Sequence, residues 1–345
     1  MRLYEEDIAV DMGTSSTRIC TAGTAEIKSE TSVVIIDKTE QRVVAVGEDA
    51  NKTLGRTPAN TVAIHPIAAG VISDYEMAAY ILMTLVKGFG DGFSLFKPRM
   101  LMCVPSSITG VEERALVDAA TEAGAREVFL VESAIATAVG AGVDYKKAEG
   151  HMIVDIGGGT TEIAIVSMGG VVECESIKIA GNAFDEAIIR YIRNTYKMLI
   201  GEKTAEEIKI SIGGVSNRPS DITVKVKGRN LVNGLPKEIE ISSAELVPVL
   251  REPMERILES ISAVIERTPP ELSGDLWNNA IILSGAGSLL YGVAQEIATR
   301  TNLNVRPVDD PGTIVAHGAR KLLKAKALDK MPSGMMNFLR RRQMN

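Results

Sequence analysis

The tightest constraint on this chain is a spacing that occurs twice. Residues 152–166 read Met-Ile-Val-Asp-Ile-Gly-Gly-Gly-Thr-Thr-Glu-Ile-Ala-Ile-Val: an apolar run, three glycines, two hydroxyls and a second apolar run. β-Branched runs on either side of a glycine cluster predict a strand–turn–strand hairpin. Gly157, Gly158 and Gly159 carry no Cβ, so their backbone N–H groups can come close to a bound group. Successive N–H groups in such a turn form a concavity suited to phosphate oxygens. Asp155 closes the first strand, where a carboxylate can hold a magnesium ion through water. Taken alone, the turn is as compatible with a plain surface hairpin as with a phosphate site.

The spacing recurs near the N-terminus, in Ile8-Ala-Val-Asp11-Met-Gly13-Thr14-Ser15-Ser16-Thr17-Arg-Ile19. Aligning Asp11 with Asp155 also aligns Gly13 with Gly157, Ser16 with Thr160 and Thr17 with Thr161. Two copies of one phosphate hairpin imply two similar domains facing each other across a nucleotide. A third glycine turn, Ser284-Gly285-Ala286-Gly287-Ser288, follows an apolar strand and precedes a helix-like run. This set resembles the actin/sugar-kinase/chaperone ATPase fold. The expected class is α/β: two duplicated domains with small inserted subdomains around a central cleft.

A chain of 345 residues is long enough for two such cores. Strands and helices alternate as an α/β reading requires. Strands are expected at residues 100–104 and 127–131, and helices from Ser73 or Asp74 to Gly88 and over 112–123. Further helices are expected over 181–200, 204–212, 243–265 and 313–326, with a short helix and loop at 48–64. A net charge of −6 disfavours bulk nucleic-acid binding, which needs a basic face. Cys20, Cys103 and Cys174 sit in or beside apolar strands and read as reduced thiols. His65, His151 and His317 lack ligand spacing. The acidic N-terminus has no signal-peptide core, and no apolar run reaches the ~18 residues of a spanning helix. A cytoplasmic protein is expected, with any membrane contact peripheral.

With these elements in order, the sequence resembles the MreB family of bacterial actins over about residues 7–326. The resemblance rests on Asp11-Met-Gly-Thr, on Val154-Asp-Ile-Gly-Gly-Gly-Thr-Thr-Glu162 and on Gly181-Asn-Ala-Phe-Asp-Glu-Ala-Ile-Ile189. It rests also on Leu199-Ile-Gly-Glu-Lys-Thr-Ala-Glu-Glu-Ile-Lys209 and Leu283-Ser-Gly-Ala-Gly-Ser-Leu-Leu290. It implies a first domain over 1–145 and about 317–330, with a small subdomain at 33–65. The second would span 146–316, with a small subdomain at 182–243, leaving 331–345 as a basic tail.

The resemblance implies an ATP-dependent protein that polymerises with itself into double filaments and guides cell-wall synthesis at the inner face of the cell membrane, with cell-wall elongation proteins as partners. ATP or ADP with magnesium would fill the cleft. Asp11 and Asp155 would position the metal. Gly13, Thr14, Ser15, Gly157, Gly158 and Gly159 would hold phosphates, and Thr160 would help place the attacking water. Gly181 would belong to the same site. Glu206 and Lys209 would reach toward the nucleoside, with Gly285, Ala286 and Gly287 on its other side. Hydrolysis would be in-line attack of water on the γ-phosphate.

Two residues depart from the family pattern. The family usually carries two adjacent glutamates followed by proline where this chain has Glu132-Ser133-Ala134, so Ser133 replaces the glutamate expected to orient the water. A hydroxyl cannot act as its base at neutral pH. Hydrolysis is therefore expected to be slow unless Glu132 substitutes. Ala286 stands where a third glycine is usual, a milder change.

Two stretches are candidate membrane contacts. One is the Phe93-Ser-Leu95-Phe96 loop, where some relatives carry a membrane-inserting loop. The other is Phe338-Leu339-Arg340-Arg341-Arg342, whose arginines suit an anionic surface at ~1 kcal/mol each. Competing readings are a small-molecule kinase of the same fold, a chaperone-type ATPase and a plasmid-segregating actin. The kinase lacks a recognisable acceptor site here. The chaperone would need a substrate domain after residue 326.

Overall fold

The computed structural model describes residues 7–56, 58, 60–88, 97–325 and 328. Two five-stranded sheets dominate it, and they share one plan. In the first, the strand order is Glu127–Glu132, Arg99–Val104, Ile8–Met12, Ser16–Thr21 and Ile27–Thr31. In the second it is Val305–Pro307, Ile281–Ser284, His151–Ile156, Thr161–Ser167 and Gly170–Ile177. In both sheets the central strand pairs antiparallel with the strand after its hairpin and parallel with a strand that arrives much later. The duplication seen in the two hairpins thus extends to whole sheets.

Both central strands are buried on both faces, as sheets covered by helices require. A first core is built on the strands around Val10, Ile19 and Met100 and on the Tyr75–Lys87 and Gly110–Glu122 helices. A second is built on Val154, Ile163 and Leu283, with Phe184, Ile188 and the Ser243–Arg267 helix. A third belongs to both halves. It gathers Ala9, Leu101 and Phe129 from one sheet with Ile153, Ala164 and Ile282 from the other.

That shared core is closed by two helices, Ser133–Gly140 and Ile314–Lys324, which carry the chain between the halves. Their backbones meet at two glycines. A Cβ on Gly318 would lie 1.7 Å from the Ala136 carbonyl oxygen, and one on Gly140 would lie 2.5 Å from that of Ile314. Two side-chain-free positions therefore let both connections cross at one point.

Local signals explain three of the helix starts. Asp74 caps the Tyr75–Lys87 helix by accepting from the Met77 N–H, and Thr109 and Ser242 begin the Gly110–Glu122 and Ser243–Arg267 helices with capping boxes. The helix expected over 181–200 stops at Tyr196, because Lys197 takes a left-handed conformation (φ 51°) and Met198–Leu199 joins a three-stranded sheet. The stretch 48–64, expected as helix and loop, holds a helix, Gly47–Thr53, and also a strand, Thr61–Ile64. Among the described residues no helix is long and apolar enough to cross a membrane.

Candidate active site

The two hairpins point into one cavity of about 410 Å³ between the halves, within the range usual for a small-molecule site. Each turn is closed in the same way: Gly13 N–H donates to Ser16 O at 3.1 Å, and Gly157 N–H donates to Thr160 O at 2.9 Å. They differ in what braces them. The Ser32 hydroxyl donates to Gly13 O at 2.7 Å in the first. In the second, Gly157 O and Gly158 O accept from Gly181 N–H and Asn182 N–H at 3.0 and 2.8 Å. The first turn of the Gly181–Tyr196 helix is thereby fixed against the hairpin tip, which brings the positive end of its dipole to the cavity.

The tips interlock. A Cβ on Gly158 would fall 1.8 Å from Ser15 Oγ, and one on Gly159 would fall 2.6 Å from Thr14 Oγ1. The hydroxyl side chains of one hairpin thus occupy the space that the glycines of the other leave open. Thr14 Oγ1 also accepts from Gly70 N–H at 3.1 Å.

Of the residues singled out in the sequence, Asp11, Gly13, Thr14, Ser15, Ser133, Asp155, Gly157, Gly158, Gly159, Thr160, Gly181, Glu206, Lys209, Gly285, Ala286 and Gly287 all line this cavity. Glu132 does not. It ends the Glu127–Glu132 strand, and Ser133 opens the following helix. Lys209 is engaged within the protein: its ammonium donates to Asp185 Oδ2 at 2.7 Å and to Gly181 O at 3.2 Å. Phe93, Leu95, Phe96, Phe338, Leu339, Arg340, Arg341 and Arg342 lie outside the described residues.

Three acids meet near the hairpin bases. Burial pushes the Asp155 carboxyl up to about 6. The donated Ser284 hydroxyl, at 2.6 Å, opposes that, and the Asp11 charge adds to it. Asp11 is also raised by burial, with Arg18 Nη1 at 3.4 Å pulling the other way. Glu162 reaches about 7, chiefly by burial, although its Oε1 accepts from both the N–H and the hydroxyl of Ser106 at 2.7 Å each. Among the described residues no group of three or more His, Cys, Asp or Glu could hold a metal by itself. Two carboxylates across a cleft instead fit a cation that brings most of its own oxygen ligands.

The model of the MreB/Mbl protein family matches residues 5–331. The cell shape-determining protein Mbl of Bacillus subtilis is 41% identical over 330 residues, covering 96% of this chain and 98% of that protein. This chain belongs to the MreB/Mbl family. The cell shape-determining protein MreB of Escherichia coli is 41% identical over 327 residues, covering 93% of this chain and 94% of that protein. The fold is actin-like. A crystal structure of MreB 5 of Spiroplasma citri bound to AMPPNP superposes with a TM-score of 0.90 at 33% identity, covering 94% of this chain and 98% of that one. The same protein bound to ADP gives 0.89. A MamK double helical filament shares the fold at 23% identity, with a TM-score of 0.78 over 92% of this chain and 98% of that one.

Within this MreB/Mbl cleft, several residues escaped the motif-based reading. Arg18, Glu162 and Ser284 are register partners of the motif aspartates: Asp11 faces Arg18, and Asp155 faces Glu162 on one side and Ser284 on the other. Counting back across each hairpin from its glycines would have found Arg18 and Glu162. Arg218 and Tyr291 reach the cavity from separate loops, and no local pattern marks them.

Proposed function

We propose that this chain is a nucleotide-dependent, filament-forming cytoskeletal protein that binds ATP and magnesium between its two sheets and acts in cell-shape determination. The observation that carries the reading is the convergence of two hairpins, from two sheets of one topology, on a single cavity. The likeness to a family member bound to AMPPNP and ADP supports the ligand class. Family membership supports the cellular role. Sheet membership and the return of the Ile314–Lys324 helix to the first half support assigning 1–145 with about 317–330 to one domain and 146–316 to the other, with small subdomains at 33–65 and 182–243.

In this reading the backbone N–H groups of Gly13–Ser15 and Gly157–Gly159 bind the phosphates. Asp11 and Asp155 would hold the magnesium, and Thr160 would help position the attacking water. Magnesium and the triphosphate, when bound, supply charge neutralisation and the leaving group. Glu206 and Lys209 line the nucleoside side, Lys209 through its pair with Asp185, opposite Gly285–Gly287. Ser133 offers a hydroxyl where a base would serve, so hydrolysis is slow and the nucleotide-bound state long-lived.

Membrane association rests on sequence alone. Phe93, Leu95 and Phe96, together with Phe338, Leu339 and Arg340–Arg342, are the proposed contacts with the inner face of the cell membrane. Membrane proteins of cell-wall elongation are the proposed partners. The test is electron microscopy of the protein on an anionic lipid monolayer. Paired filaments that need nucleotide and magnesium are expected; monomers under every condition would refute polymerisation. Loss of lipid binding on Phe96→Ala with deletion of residues 331–345 is the expected result for the membrane contacts, and full retention would remove them.

A further inference from the structure

The Thr161–Ser167 strand is buried at every position, and Glu162 is its one ionisable side chain. Thr161 settles its own hydroxyl locally, donating to Ile179 O at 2.7 Å. Glu162 is 8% exposed, and a buried acid is costly unless something in the fold uses it. Its partner comes from the other half of the molecule. Ser106, just beyond the Arg99–Val104 strand, donates both its N–H and its hydroxyl to Glu162, at 2.7 Å each.

Both of those bonds fall on one oxygen, Oε1. The other, Oε2, has no donor among the described residues. Glu162 lines the cavity, together with Thr160 and Ser133. One oxygen is thus pinned across the two halves, and the second is left for something in the cavity. The three side chains differ in what they can ask of a water molecule. A hydroxyl both donates and accepts, so a water held by Thr160 and Ser133 alone can turn either way. An ionised carboxylate only accepts. A water bound to it must point a hydrogen at it and a lone pair elsewhere.

We propose that Glu162 is a catalytic residue whose Oε2 orients the attacking water, and that it carries the slow hydrolysis that Ser133 leaves. The proposal deepens the nucleotide reading above and rests on it. In the step, the water oxygen bonds to the γ-phosphorus, and the bond from that phosphorus to the bridging oxygen breaks, its electron pair leaving on ADP. The water proton departs with inorganic phosphate, so none stays on Glu162. Ser106 is a positioning residue: by holding Oε1 it keeps Oε2 from swinging away.

The experiment measures single-turnover phosphate release from ATP and magnesium by the full-length protein at pH 8. It compares wild type, Glu162→Gln, Ser133→Glu and the double variant, with calorimetric affinity for AMPPNP measured on each. Glu162→Gln still offers an oxygen to Ser106 but no longer a carboxylate to the water. It should slow release by roughly 10–100-fold while AMPPNP affinity stays within a few-fold of wild type. In the Ser133→Glu background the same change should cost much less, because a second carboxylate then serves the water. Ser106→Ala should slow release by less than Glu162→Gln does, since the backbone N–H remains. Unchanged release in Glu162→Gln, or an equal loss in both backgrounds, would overturn the proposal. So would loss of AMPPNP binding in Glu162→Gln, which would assign Glu162 to holding the cleft together. Failure of wild-type protein to bind AMPPNP would overturn the nucleotide reading itself, and this inference with it.

Discussion

In the first hairpin the closing aspartate faces a base; in the second it faces another acid. Asp11 lies across from Arg18 and takes an ion pair from it at 3.4 Å. Asp155 lies across from Glu162; burial raises the proton affinity of both, the Asp155 charge raises that of Glu162 further, and serine hydroxyls from Ser284 and Ser106 are their donors. The tips differ as well. Thr14 and Ser15 bring side chains where Gly158 and Gly159 bring none, and the two sets interlock. Duplication thus supplied one scaffold twice, and the copies became complementary. One is charge-neutral at its base and filled at its tip; the other is acid-rich and bare. A cation should therefore matter most to the second half, and added volume should be tolerated least there.

The largest effect is expected from adding the acid that the first half lacks at its junction. Ser133 lies on the cavity wall at the start of the helix leaving the first sheet. Ser133→Glu should raise phosphate release by on the order of 10²-fold. Equal rates in a phosphate-release assay would dismiss the slow-hydrolysis proposal.

Next in size is the interlock. Overpacking costs typically ~1–3 kcal/mol, so Gly158→Ala should weaken nucleotide binding by about 10–100-fold. Adding Ser15→Gly should recover part of the loss. Gly13→Ala should be milder, since its Cβ meets only the Ser16 carbonyl of its own turn, at 3.0 Å. If the double variant binds no better than Gly158→Ala alone in calorimetry, the tips do not interlock as described.

The acid pair makes a prediction in pH. A buried carboxyl raised from 4.5 to about 7 binds its proton more tightly in the folded than in the unfolded chain. Its contribution to stability is complete below pH 4.5 and is lost as pH rises toward 7. Nucleotide-free wild-type protein should therefore lose on the order of 1–3 kcal/mol relative to Glu162→Gln across that window. Urea unfolding at several pH values checks this; a flat difference would show that Glu162 does not titrate there.

The smallest effect is a contrast of sign. Without nucleotide, Asp11→Asn leaves Arg18 without its carboxylate and should destabilise by ~1 kcal/mol. Asp155→Asn removes a charge facing Glu162 and should leave neutral-pH stability unchanged or slightly raised. Thermal unfolding that drops equally for both would erase the asymmetry between the hairpins.

Much of this cleft was legible in the sequence because the end proposed to hold phosphates is made of turns. Glycine spacing acts locally, so Gly13, Gly157–Gly159 and Gly285–Gly287 announced themselves, and the cavity gathers them with Ser133 and Glu206. What escaped notice depends on pairing. Arg18 and Glu162 acquire meaning only from hairpin register, and Ser284 only from a parallel partner 129 residues away. Arg218 and Tyr291 meet through a tertiary stack. The helix over 181–200 was read too long because Met198 and Leu199 continue its apolar pattern. A left-handed Lys197, invisible to periodicity, ends it.

Amide hydrogen exchange tests most directly whether the two hairpins share one ligand. Exchange would be followed over residues 12–17 and 156–161, with and without nucleotide and magnesium. If backbone N–H groups from both turns hold the same phosphates, both segments should become protected together and at the same nucleotide concentration. Protection of only one hairpin, or of neither while nucleotide is bound, would contradict the account.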